Sequence, residues 1–259
     1  MTTLSPMKSL FYNELFYKLI SETSFDSARI IVPLVLDLLN PKSVVDVGCG
    51  VAAWLAVFKG HGIDDVLGID GEYVKKEDLM IPQEKYLSCD LSTGSLQLNR
   101  KFDLAISLEV AQYLPAENSE RFIASLTSLA PAVLFSSAVP FQGGPLQVNE
   151  KWHHEWAELF RKQGYEPVDC IRRKIWNNKN IALWYAQNMI LYIDGDHLEK
   201  LQQLKKEYTP ASTEQLSMIH PDLWNSKMDF LYGSLKKKGL KNRIKNTLRK
   251  IVFHDEYTN

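Results

Sequence analysis

Apolar residues recur at helical spacing through residues 10–39, with Leu15, Leu19, Ile20, Ile30, Ile31, Leu34 and Leu38 ahead of the breaker pair Asn40-Pro41. One or two helices are therefore expected before the first strand. From residue 43 the pattern alternates. A β-rich run at 43–47 leads to a helical stretch at 52–60 and a second apolar run at 66–69. Further strand candidates lie at 86–89, 104–108, 132–137 and 168–173, with helical stretches at 117–129 and 150–163. The long apolar run at 181–193 would supply a closing strand. Strands alternating with helices predict right-handed βαβ units and an α/β fold with a doubly wound, mainly parallel sheet.

Beyond about residue 194 the chain becomes charged and helical, first at 197–208 and again towards the C-terminus. Lys236, Lys237, Lys238, Lys241, Arg243, Lys245, Arg249 and Lys250 form a basic run without an acid between them, while Leu240, Ile244, Leu248 and Ile251 share one helical face. Two readings of this basic amphipathic helix stay open. It packs on its own domain or on a second copy in a homodimer, or it touches an anionic surface such as phospholipid or a phosphorylated glycan. The expected organisation is an N-terminal helical cap at 1–40, a core at 41–194 and a helical extension at 195–259.

Composition narrows the function classes. The 259 residues are 45% hydrophobic and 24% charged with a formal net charge of −1, so no global field calls for a nucleic-acid partner. Cys49, Cys89 and Cys170 show no CxxC spacing, which argues against a disulfide framework or a zinc knuckle and fits a reducing cytoplasm. The N-terminus has no secretory pattern, and no run of about 18 apolar residues occurs. A cytoplasmic protein is expected, peripheral at the inner membrane if the basic helix reads phospholipid.

Candidate chemistry begins where the first strand meets a glycine-rich turn, Val44-Val45-Asp46-Val47-Gly48-Cys49-Gly50-Val51-Ala52-Ala53-Trp54-Leu55. Glycines there let backbone approach a ligand at the carboxyl edge of the sheet. Alone, the turn also suits a dinucleotide. The second strand, however, ends in Ile69-Asp70 and the third in Cys89-Asp90-Leu91, so acids close three successive strands. This rhythm resembles the S-adenosylmethionine (SAM)-dependent methyltransferases of class I, a Rossmann-like family. The resemblance implies a seven-stranded sheet in the order 3-2-1-4-5-7-6 with the last strand antiparallel. It also implies SAM as cofactor, with S-adenosylhomocysteine as product. Asp46 and the backbone of Gly48, Cys49 and Gly50 would hold the methionine end, Asp70 and Gly71 the ribose, and Asp90 and Leu91 the adenine. Trp54 and Leu108 complete the expected cofactor contacts. The third glycine of the usual pattern is Ala52 here. A nicotinamide dehydrogenase fits less well, because the helix lacks the glycine pattern for pyrophosphate and Asp90 would have no task.

The fourth strand runs into Leu108-Glu109-Val110-Ala111-Gln112-Tyr113-Leu114-Pro115, which resembles the same segment of small-molecule methyltransferases, where the family often carries a histidine in place of Tyr113. The segments around residues 135–160, 175–178 and 184–188 are similar to bacterial methyltransferases met beside surface-polysaccharide biosynthesis. A hydroxyl acceptor needs a base, and the candidates are His153, His154 and Glu109. Candidate acceptor-binding residues are Tyr113, Asn149, Glu150, Trp152 and Trp176, each also readable as packing. Neither HExxH nor an Asp-rich cluster occurs, so no catalytic metal is expected.

Methyl transfer to a hydroxyl of a small polar acceptor, such as a sugar, nucleotide-sugar or surface glycan, is the leading expectation. The rivals are N-methylation of an amino sugar or small amine, and a non-catalytic SAM-binding subunit of a partner. Nucleic-acid methylation ranks third, supported only by the basic tail.

Overall fold

The apolar runs expected as strands pair side by side in a single seven-stranded sheet. The computed structural model describes residues 14–144, 146–201, 204 and 213–237. The strands are β1 (Ser43–Val47), β2 (Asp65–Asp70), β3 (Tyr86–Ser88), β4 (Leu104–Leu108), β5 (Ala132–Ser136), β6 (Tyr165–Val168) and β7 (Ile190–Asp194). Their order is β3-β2-β1-β4-β5-β7-β6, as the resemblance implies. Neighbours from β3 across to β5 are parallel, and β7 lies antiparallel to both β5 and β6.

Side chains alternate across the sheet, as the two-residue period of a strand requires. Leu104 and Ile106 of β4, Leu134 of β5 and Leu191 of β7 face one core, while Ala105, Val133, Phe135 and Tyr192 face the other. Both faces must therefore be covered. On the first lie α1 (Glu14–Leu39), α2 (Ala53–Gly60), α5 (Ile171–Ile175) and α6 (Leu183–Asn188), contributing Ile31, Val35, Phe58, Ile175 and Tyr185. On the second lie α3 (Ser119–Leu129) and α4 (His153–Lys162), through Phe122, Leu126, Trp156 and Phe160. Phe160 stacks on Tyr192 with ring centroids 3.8 Å apart.

Three expectations shift. The strand placed at 168–173 lies earlier, at Tyr165–Val168, and Ile171–Ile175 is helical, since Ile171 and Ile175 at i, i+4 bury one helical face. The run at 181–193 divides into α6 and β7. The helix foreseen from residue 150 starts at His153, because Asn149 and Glu150 are taken up by loop hydrogen bonds. The helix foreseen at 197–208 appears as α7 (Gly195–Lys200), which ends at its cap Leu201, and apart from the helical Leu204 its remainder, like the basic run beyond Lys237, lies outside the described residues.

The chain divides into two units, residues 1–218 and 219–259. In the second, α8 (Pro221–Lys237) opens with proline at its first position, where a missing N–H is harmless. No described helix is long and apolar enough to cross a membrane.

The sheet order reverses between β1 and β4. In open α/β sheets the crevice at the carboxyl ends of such a strand pair receives ligands.

Candidate active site

At the carboxyl end of β1 the chain turns within five residues, and each backbone angle has a reason. Gly48 has φ +86°, and a Cβ there would stand 2.3 Å from Cγ2 of Val110, so the turn passes the end of β4 only as glycine. The amides of Gly48 and Cys49 donate to the Ile69 carbonyl at 2.7 and 3.2 Å. Gly50 faces open space, with no atom within 4 Å of where its Cβ would be. Ala52, in the place of the third glycine, still adopts left-handed angles (φ 63°, ψ 36°) and is fully buried. The turn thus keeps its shape with a methyl group added, at the steric cost an L-residue carries there.

The acids differ in their surroundings. Asp46 is buried, and its carboxyl is held well above the usual range first by desolvation and then by the charge of Asp70, with no hydrogen bond opposing either. A buried carboxylate left in that state fits a cationic ligand group. Asp70 accepts from the Gly50 amide at 2.7 Å, from the Gly71 amide at 2.7 Å and from the Tyr73 hydroxyl. Tyr86 donates to the Gly71 carbonyl at 2.8 Å, closing the corner. Asp90 is exposed, and hydrogen bonds first from the Ser92 hydroxyl and then from the Ser92 amide, at 2.8 Å, hold its pKa below the usual value. Leu91 and Leu108 are buried nearby in sequence to their strands' ends. Cys49 is buried, its thiol pushed up by burial and by Asp46 and Asp70. Trp54 points into the core, stacked edge-on against Tyr185 at 5.1 Å with its indole N–H on that hydroxyl at 3.4 Å.

After β4, Glu109 takes φ +59° and its amide bonds to Ser136 of β5. Its surface is only half buried, yet protein surrounds the carboxyl closely enough that burial pushes its pKa up to about 7. Hydrogen bonds from Asn188 to Oε1 at 3.1 Å, from the Ser136 hydroxyl, and from Gln112 to Oε2 at 3.1 Å pull in the opposite direction. His153 is buried, and desolvation followed by the neighbouring Arg172 charge lowers its pKa to about 3 against the opposing pull of the Asn188 side chain and the Gln187 backbone. Arg172 is itself buried in a bidentate pair with Asp169. His154 is turned elsewhere, its Nδ1 2.9 Å from the Ser217 hydroxyl.

The other sequence-predicted residues are mostly bound up in the fold. Asn149 is buried and donates to the Ala111 carbonyl and the Ser119 hydroxyl at 3.2 and 3.0 Å. Glu150 accepts from the amides of Phe141 and Gly143, both at 2.9 Å, and so shapes that loop. Trp152 precedes α4 and donates its amide to Glu155 at 2.7 Å. Trp176 is half buried, its ring 6.0 Å from the Arg172 guanidinium. Tyr113 is exposed at the turn after β4. Gln112, Gln142 and Asn188 were not foreseen as site residues. Gln112 was legible by proximity, three residues after Glu109, but nothing in the sequence links Asn188 to that acid.

A protein family described as a methyltransferase domain matches residues 26–188. The chain belongs to this family. The methyltransferase is also similar in fold to a protein of Nostoc punctiforme assigned as an O-methyltransferase, with a TM-score of 0.51, 14% identity and 69% of this chain covered. It spans 58% of that protein's length. A second similar structure is magnesium protoporphyrin IX methyltransferase from Synechocystis with bound S-adenosylhomocysteine, at TM-score 0.49 and 18% identity, covering 71% of this chain and 88% of the other. No curated protein matches the chain at a significant level.

The cofactor of the methyltransferase is SAM, and the residues present fit it. Asp46 would offer a buried, unopposed carboxylate to the ammonium of the methionine end, the turn at Gly48–Gly50 has open space over Gly50, Asp70 closes β2, and Asp90 lies two residues past the end of β3. Among the described residues no group of His, Cys, Asp and Glu is arranged to hold a metal ion.

Proposed function

We propose that the methyltransferase transfers the methyl group to a hydroxyl of a small polar acceptor, with Glu109 as general base. SAM supplies the methyl as an activated sulfonium. The observation that carries the reading is Glu109 itself, a carboxyl with a pKa near 7 at the end of β4. Its neighbour Val110 packs against the cofactor turn. An alcohol oxygen becomes nucleophilic only as its proton leaves, and a base with a pKa near the working pH combines availability with driving force. The proton would pass to Glu109 as the new carbon–oxygen bond forms and the carbon–sulfur bond breaks. Among the three candidate bases, His153 is too weakly basic at about pKa 3 and His154 is engaged with Ser217. The resemblance of the segments around 135–188 favours a sugar, nucleotide-linked sugar or glycan end as acceptor.

The test begins with cell extract incubated with isotopically labelled methyl-SAM, followed by mass spectrometry to find the labelled product. Glu109→Gln should then lower turnover on that acceptor by about 10²–10⁴ while SAM affinity holds. Near wild-type turnover in the variant would favour an amine acceptor, which arrives neutral and needs no base.

A further inference from the structure

Asn188 closes α6 at the far end of the sequence from Glu109, yet its amide meets the acid directly. The side chain is buried, and Nδ2 donates both to Glu109 Oε1 at 3.1 Å and to Gln142 Oε1 at 3.0 Å. The orientation of this amide is dictated by its partners. Gln142 Oε1 also accepts from the Val139 amide at 3.3 Å, so Gln142 presents an oxygen to Asn188. An anionic carboxylate likewise only accepts, and Asn188 must offer its NH2 to both. Its Oδ1 is buried on the side of His153.

The second carboxylate oxygen is served differently. Gln112 Nε2 donates to Oε2 at 3.1 Å from three residues along the same segment, braced in turn by the Ser137 hydroxyl at 3.1 Å. Gln112 would move with Glu109, whereas Asn188, like the Ser136 hydroxyl at the end of β5, reaches the acid from another element. Asn188 also grips the loop after β5, whose Phe141 and Gly143 amides are pinned by Glu150. One amide therefore joins the acid to the loop after β5.

We propose that Asn188 is the positioning residue for Glu109, fixing its carboxylate by a donated hydrogen bond and coupling it to the 139–144 loop through Gln142. The proposal rests on the reading of Glu109 as the base. A neutral donor at this place suits the task in two ways. It favours the charged carboxylate against burial, and it adds no proton of its own to the acid, whose remaining lone pairs stay open to a substrate proton. The titratable neighbours are Tyr185 on α6, whose hydroxyl is pushed up by burial, and His153 on α4, kept neutral beside Arg172. Neither supplies a compensating charge at neutral pH.

The experiment reads the carboxyl of Glu109 directly, without an acceptor. Infrared difference spectra across a pH titration of the full chain contain one protonated-carboxyl band that Glu109→Gln removes. Its midpoint should rise by about one to two pH units in Asn188→Ala, the equivalent of one lost hydrogen bond to a charged group. Asn188→Asp, close in shape and so safer for folding, should raise it too by placing a like charge beside the acid. A cooperative thermal melt establishes that each variant is folded. An unchanged midpoint in a folded variant overturns the role of Asn188. A wild-type midpoint far from neutrality overturns the base reading alone, because the shift between wild type and variant still reports what Asn188 does.

Discussion

The amide of Gly50 donates to Oδ2 of Asp70 at 2.7 Å, so the turn after β1 and the end of β2 are joined through the carboxylate expected to receive the ribose. Removing that carboxylate strips the ligand of a charged acceptor and frees two amides at once. Asp70→Ala should therefore weaken SAM binding more than about tenfold by calorimetry. Asp70→Asn, which keeps one acceptor, should fall between the two. Wild-type affinity in Asp70→Ala would remove Asp70 from the cofactor site.

Asp46 should show opposite effects on stability and binding. Its folded pKa lies above the unfolded value, so the stabilisation tied to its protonated form is present in acid and lost as pH rises through the folded pKa. At neutral pH the group is a liability to the empty protein. Asp46→Asn should raise the melting temperature of the ligand-free methyltransferase at pH 7.5 and abolish most of the further rise that SAM gives the wild type. Scanning fluorimetry with and without SAM measures both.

His153 should make the fold acid-sensitive. Its pKa falls from 6.5 to about 3 on folding, so the unfolded chain binds a proton there that the folded chain refuses. Stability is lost as pH drops below about 6.5 and stops falling from this source near 3. At pH 4.5 the loss amounts to about 3 kcal/mol. Urea unfolding of His153→Leu at pH 7.5 and 4.5 should show a smaller drop than the wild type, and an equal drop would assign the acid sensitivity to other groups.

Gly48→Ala should be strongly destabilising. The φ of +86° costs an L-residue about 1–3 kcal/mol, and the added methyl collides with Val110. Adding Val110→Ala should recover the collision but not the backbone share. Chemical denaturation of both variants separates the two contributions.

Strands β1, β2, β4 and β5 were legible because each is a short apolar run, the pattern that strands buried on both faces of a parallel sheet impose, while β3 at the edge was marked mainly by its place in the rhythm of acids. The closing region was harder. Pro167 sits in β6, tolerated because that strand is the sheet edge, and the apolar run from Ile181 hides a helix whose last residues, Gln187 and Asn188, are buried polar. The places of Asp46, Gly48, Gly50 and Asp70 around the ends of β1 and β2 could be read from sequence since local rhythm sets them. The pairing of Asn188 with Glu109 spans 79 residues and depends on how α6 meets the end of β4, which no spacing rule encodes.

Glu109 stands at φ +59°, on backbone that glycine would occupy with less strain. Heat-tolerance selection carried out with no demand for methyl transfer would therefore drift towards glycine or asparagine at this position, erasing the acid while the sheet around it grew firmer. The residue found at 109 among heat-selected descendants would then record whether the selection had ever asked for chemistry.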